Sequence, residues 1–149
     1  MKKNEVKKNN KGFSLVELIV VIAIMAVLVG VLAPQFIKYV EKSRISTDIQ
    51  NVDQIKTALE TYFIENDVTG EKKLFSSDVA TNTSTTPPIN TDSDIQNAMS
   101  SAGLKTDKVT FKYKKWSGVN VIVSGGAVTV KGTATYGKTY NLDGSEPTS

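Results

Sequence analysis

The 149-residue chain is long enough for one ordinary domain and too short for two. It has no Cys, which excludes disulfides, thiol catalysis and thiolate metal sites, and no His, the commonest metal ligand and general base. Its 18 Lys+Arg against 15 Asp+Glu give +3, yet Lys2, Lys3, Lys7, Lys8 and Lys11 against Glu5 place +4 in the first twelve residues, leaving 13 against 14, or −1, beyond them. The basic character belongs to a leader, not to a nucleic-acid-binding domain.

Residues 18–37 carry no charge. As a helix they cover roughly 30 Å, about the thickness of a hydrocarbon core. The leader lysines belong on the cytoplasmic side, which places everything after Phe36 outside. A cleaved secretory signal is the competing reading, with Val31-Leu32-Ala33 as its small-residue site, but the apolar run exceeds the usual 7–15 residues or so. Glu17 at the edge of the run has two readings. An ionised carboxylate in bilayer costs roughly 2.5–3.5 kcal/mol, so it either snorkels to the headgroups or has a partner inside. Pro34 cannot donate to the carbonyl of Gly30, itself a weak helix former, so the helix is expected to kink or loosen across Gly30–Pro34.

Lys11-Gly12-Phe13-Ser14-Leu15-Val16-Glu17-Leu18 resembles the prepilin cleavage motif of type IV pilins and related pseudopilins, with a likeness covering about residues 7–40. The resemblance implies that prepilin peptidase cuts between Gly12 and Phe13 on the cytoplasmic face and N-methylates Phe13, leaving the apolar run on the mature chain. It further implies that Glu17 neutralises the N-terminal amine of a neighbouring subunit and fixes its register during assembly. The family often has glycine where this chain has Ala26, which bears on how far the helix before Pro34 unwinds. The implied partners are identical or related pilin subunits in a homopolymer, the cytoplasmic membrane, and an assembly platform with its ATPase. Localisation would pass from the cytoplasmic membrane to a cell-surface filament.

Beyond Pro34 the pattern becomes amphipathic. Ile45, Ile49, Val52, Ile55, Leu59 and Tyr62 recur at helical spacing and form a core-facing stripe, with Arg44, Asp48, Asp53, Lys56 and Glu60 on the other faces. One helix is expected from near Phe13 to about Asn66, roughly 80 Å if straight. Residues 67–92 read as a solvated loop, rich in Ser and Thr and holding the N-glycosylation pattern Asn82-Thr83-Ser84. A short helix follows, with Ser93 and Gln96 as a capping box, Ile95, Ala98, Met99 and Ala102 on one face, and Gly103 at its stop.

The remainder reads as antiparallel strands. Val109, Phe111 and Tyr113 alternate, Val119–Val123 and Ala127–Lys131 flank a Ser124-Gly125-Gly126 turn, and Thr133–Tyr136 with Thr139–Leu142 form a further hairpin. The fold class expected is α+β and pilin-like: a long N-terminal helix, transmembrane in its first half and amphipathic in its second, packed on a small antiparallel sheet. The divisions are a leader 1–12, a transmembrane and filament-core helix 13–37, an amphipathic half 38–66 and a globular domain 67–149. The tail 144–149 is expected to be loose.

Lys112, Lys114 and Lys115 with Trp116 suggest a nucleic-acid patch, with Lys112, Lys114 and Trp116 sharing a strand face, but a basic outward face is the ordinary way to keep a strand soluble, and DNA binding is the lesser reading. Asp143 and Glu146 lack the spacing of a calcium loop. No phosphate loop, nucleophile–base pair or acidic dyad occurs. The expectation is therefore a non-enzyme with no cofactor or metal: a structural subunit of a type IV pilus serving adhesion, motility or biofilm formation. The alternatives are a pseudopilin of a type II secretion or DNA-uptake apparatus, and a permanently anchored surface domain.

Overall fold

The structure, a computed structural model, describes residues 12–80, 86–136 and 138–145. Most of the leader, the Asn82-Thr83-Ser84 sequon and Glu146 with the rest of the tail lie outside the described residues. The chain divides into two units, Met1–Lys38 and Tyr39–Ser149. Helix α1 (Leu15–Glu65) runs through Gly30 and keeps Pro34 within it. In the first unit every described residue is exposed, including the whole apolar run. By length and composition this helix suffices to cross a membrane.

In the second unit α1 is followed by β1 (Glu71–Lys73), α2 (Ser93–Ser101), β2 (Trp116–Ser124), β3 (Ala127–Tyr136) and β4 (Lys138–Asn141). The strands form an antiparallel sheet in the order β1-β2-β3-β4. β2 and β3 need only a tight turn between them, whereas α2 and the segments on either side of it separate β1 from β2. Between β2 and β3 that turn is Gly125-Gly126, both at positive φ, as a two-residue hairpin of the primed type requires. Ile45, Val52, Ile55, Leu59 and Phe63 of α1 share one core with Ile95, Ala98 and Met99 of α2 and with Trp116, Val119, Val121, Val123 and Ala134 of the sheet. Of the helix stripe, Ile49 and Tyr62 are only partly buried; Phe63, next to Tyr62, is buried instead.

Several local expectations change. The stretch read as loop contains strand β1, whose Glu-Lys-Lys sequence has no apolar alternation. Its pairing with Ile122–Ser124 is secured by Leu74 and Phe75, which follow it into the core. The cap of α2 is Asp92, not Ser93. The Asp92 carboxylate accepts from Asp94 N, while the Gln96 amide donates to the carbonyls of Asn90 and Thr106. Asp92 also takes the Lys72 ammonium at 2.6 Å, which holds its carboxyl below the ordinary carboxylate range and ties β1 to α2. At the other end Gly103, at φ 70°, closes the helix by bonding Ser100 O while Leu104 N bonds Met99 O.

Val109, Phe111 and Tyr113 are buried in alternation, yet they form no strand. Alternating burial reports which side chains turn inward; it does not require a neighbouring ladder, and here the backbone N–H groups go elsewhere. The last described segment is fastened by packing. Leu142 is buried, its N–H donates to Gly132 O, and Gly132 sits so close that an added Cβ would lie 3.0 Å from the Leu142 side chain.

Candidate functional site

Two features carry the chemistry, one in each unit. The first is the start of α1. Gly12, Phe13 and Ser14 precede the helix in irregular backbone, so the Gly12–Phe13 bond lies outside the hydrogen-bonded ladder. An added Cβ on Gly12 would meet nothing within 4 Å, so among the described residues no packing demands glycine there. Phe13 is 91% exposed. Ser14 N donates to Glu17 Oε2 at 2.9 Å, and Val16 N reaches Ser14 Oγ at 3.4 Å. Glu17 reaches back to Ser14 N as the glutamate of a capping box does, while the Ser14 hydroxyl takes Val16 N; the signal is Ser14-x-x-Glu17 before an apolar run. This contact gives Glu17 a role within its own chain: the carboxylate sits at the third residue of the helix, where the positive end of the dipole favours a negative charge. Farther along, Pro34 leaves Gly30 O without its helical donor, and the Gly30 side is sterically open.

The second feature is Asp48. Its place between Ile45 and Val52 put it with the outer, charged positions; the structure buries it at 1% exposure. Its Oδ1 accepts from Lys112 N at 2.6 Å, and its Oδ2 accepts from Tyr113 N and Trp116 Nε1, both at 2.8 Å. Burial pushes the carboxyl above its ordinary value, opposed by these hydrogen bonds and the Lys112 charge. Of residues 109–113, Lys112 and Tyr113 give their N–H groups to a carboxylate from the helix, while Val109 N donates to Pro87 O beside an isolated Pro88–Lys108 bridge, so no continuous ladder forms. Trp116, 1% exposed, stands edge-to-face with Tyr113 and is not on the surface. The expected patch of Lys112, Lys114 and Trp116 therefore has no exposed indole. Among the described residues no group of three or more carboxylates could hold a metal ion.

The comparisons fall on the N-terminal region. The family described as the prokaryotic N-terminal methylation motif matches residues 7–33. The chain is 35% identical over 65 residues to the type IV major fimbrial protein FimA of Dichelobacter nodosus, covering 44% of this chain and 42% of that protein. It is 34% identical over 67 residues to the type IV major pilin protein PilA of Myxococcus xanthus, covering 45% and 30%, and 42% identical over 65 residues to prepilin peptidase-dependent protein A of Clostridium perfringens, covering 43% and 46%. The chain thus spans less than half the length of these curated relatives. No solved structure matches. The methylation motif and these relatives make the N-terminal region of this chain similar to that of type IV pilins, and a long helix with a small antiparallel sheet is the pilin-like α+β architecture expected from the sequence.

Proposed function

We propose that the chain is a structural, non-catalytic subunit of a type IV pilus, cut after Gly12 by prepilin peptidase, N-methylated at Phe13, held in the cytoplasmic membrane and polymerised into a surface filament. The observation that carries this reading is the first unit: a charge-free helix surface, fully exposed, interrupted near its start by one carboxylate. Monomeric soluble proteins do not leave such a surface uncovered. In the membrane lipid covers it; in a filament other copies of the same helix do, and packing plus polar pairing must drive that exchange because lipid is already apolar.

Cleavage leaves a cationic amine on Phe13, two residues before α1, beside the positive end of the helix dipole. That amine needs an anion. Glu17 of an adjoining copy is the available one, and a charge pair inside apolar packing makes any other axial register costly. Pro34 and Gly30 give the helix a place to bend as it is packed. An assembly platform and an ATPase supply the work of extraction from lipid.

The openness around Gly12 makes a direct experiment available. Gly12→Val introduces a branched side chain where a Cβ meets none of the described residues, so its expected effect falls on an outside partner that must lie against the backbone. The precursor is expected to reach the membrane, retain residues 1–12 and yield no filaments in electron micrographs of sheared cells, where the wild type yields them. Filaments built from uncut Gly12→Val subunits would contradict the reading.

A further inference from the structure

The mature chain's charge is distributed unevenly. Residues 104–116 hold five lysines against Asp107, a balance of +4, and residues 60–94 hold seven carboxylates against Lys72 and Lys73, a balance of −5. The other residues after the leader cancel. The lysine-rich stretch borders an open cleft of about 410 Å³ beside the second half of α1, lined among others by Asn51, Gln54, Leu104, Lys105, Lys108 and Lys112. No carboxylate lines it, and these three lysines are exposed and form no ion pair among the described residues. Its apolar floor of Ile55, Met99 and Val109 is already buried by the fold, so the cleft presents mainly ammonium and amide groups. Such a rim recognises a carboxylate-bearing surface rather than an apolar anchor.

The acidic stretch supplies a carboxylate surface of that kind. Helix α1 ends on Glu65, with no basic residue in its last turn. Asp67, two residues on, adopts φ 49° to close the helix, bonding Ile64 O while Val68 N bonds Phe63 O. A carboxylate stands where glycine is usual, and both charges face the negative end of the helix dipole. Neither Glu65 nor Asp67 forms an ion pair among the described residues. From Gln54 to Glu65 the helix advances about 16 Å, roughly two Debye lengths at physiological salt. The lysines of one subunit therefore do little for the carboxylates of the same subunit.

We infer that the Lys105–Lys108–Lys112 cleft receives the acidic helix end, Glu65 and Asp67, of a second copy of this chain. Two different patches of one surface meeting head to tail make an interface that repeats without closing, the symmetry of a filament. This contact rests on the pilus reading and adds a specific electrostatic interface between the globular units to the pairing of the N-terminal helices.

The test is a charge exchange in full-length chains assembled in cells. Lys112 lies beside buried Asp48, so it stays unchanged. Lys105→Glu with Lys108→Glu is expected to reach the membrane at the wild-type level and to lower filament yield about tenfold or more at physiological salt. Glu65→Lys with Asp67→Lys is expected to do the same, and all four substitutions together to restore filaments. Lys105→Gln with Lys108→Gln, which removes charge without reversing it, should give an intermediate yield. Full filament yield from the lysine pair reversal overturns the inference, as does failure of the fourfold exchange to exceed either pair. So does an unchanged filament yield accompanied by loss of salt-dependent oligonucleotide binding, which would assign the cleft to nucleic acid. Absence of filaments from the wild type would sink the pilus reading itself, and this contact with it.

Discussion

Glu17→Ala is expected to leave cleavage after Gly12 intact and to abolish filaments. Removing the carboxylate leaves the Phe13 amine of the adjoining copy charged and unpaired inside apolar packing. That costs about 3–5 kcal/mol, roughly two to three orders of magnitude in an incorporation equilibrium. The same substitution also removes the acceptor for Ser14 N, so part of the loss could come from a frayed helix start. Two companions separate the effects. Glu17→Gln keeps an oxygen for Ser14 N, as glutamine does in capping boxes, but carries no charge; it is expected to fail like alanine. Ser14→Ala removes only the long 3.4 Å hydroxyl contact with Val16 N and should still assemble. Filaments from Glu17→Gln, read by electron microscopy of sheared material, would reduce Glu17 to a cap.

The second large effect belongs to Asp48. Asp48→Ala strips the acceptor from three N–H groups, two of them in buried contacts, on the segment that joins α2 to β2. Unmet buried donors cost about 1–3 kcal/mol each, so a loss of about 3–5 kcal/mol is expected, a large share of an ordinary domain's stability. Asp48→Asn retains one oxygen and replaces the other with a donor aimed at N–H groups, so it should fall between. Trp116→Phe removes the indole donor; made in the Asp48→Ala background it should cost less than in the wild type. Denaturant melts of the detergent-solubilised chain give this cycle, and additive costs would mean that the carboxylate and the indole are not coupled.

Asp48 also marks the limit of what could be read from the chain alone. Periodicity located α1 through Glu65, the stripe from Ile45 to Leu59, the short helix and the Gly125-Gly126 hairpin, because each depends on neighbours in sequence. The spacing of Asp48 is compatible with a solvated face. Its burial is set by Lys112, Tyr113 and Trp116, more than sixty residues away, and no local pattern encodes that distance. The same separation turned Val109–Tyr113 from an expected strand into a segment held by a side chain. Strand β1 was hidden for a related reason: Glu71-Lys72-Lys73 pairs through its backbone, and the apolar residues that secure it come after it. Asp92 displaced Ser93 as the cap of α2 because it also meets Lys72 across the fold.

At the N-terminus the motif was more legible. A leader of lysines, Gly12-Phe13 and a lone glutamate before an apolar run are all local in sequence. What the structure adds is the Ser14–Glu17 contact, a signal present in four consecutive residues. It gives the Glu17 carboxylate a role at its own helix start, beside the proposed pairing with the amine of another subunit.

Mass spectrometry of the subunit recovered from sheared surface filaments tests the central claim most directly. The account predicts a chain beginning at residue 13 with a methylated phenylalanine. A filament subunit that still carries residues 1–12, or one that begins at Pro34, would contradict it.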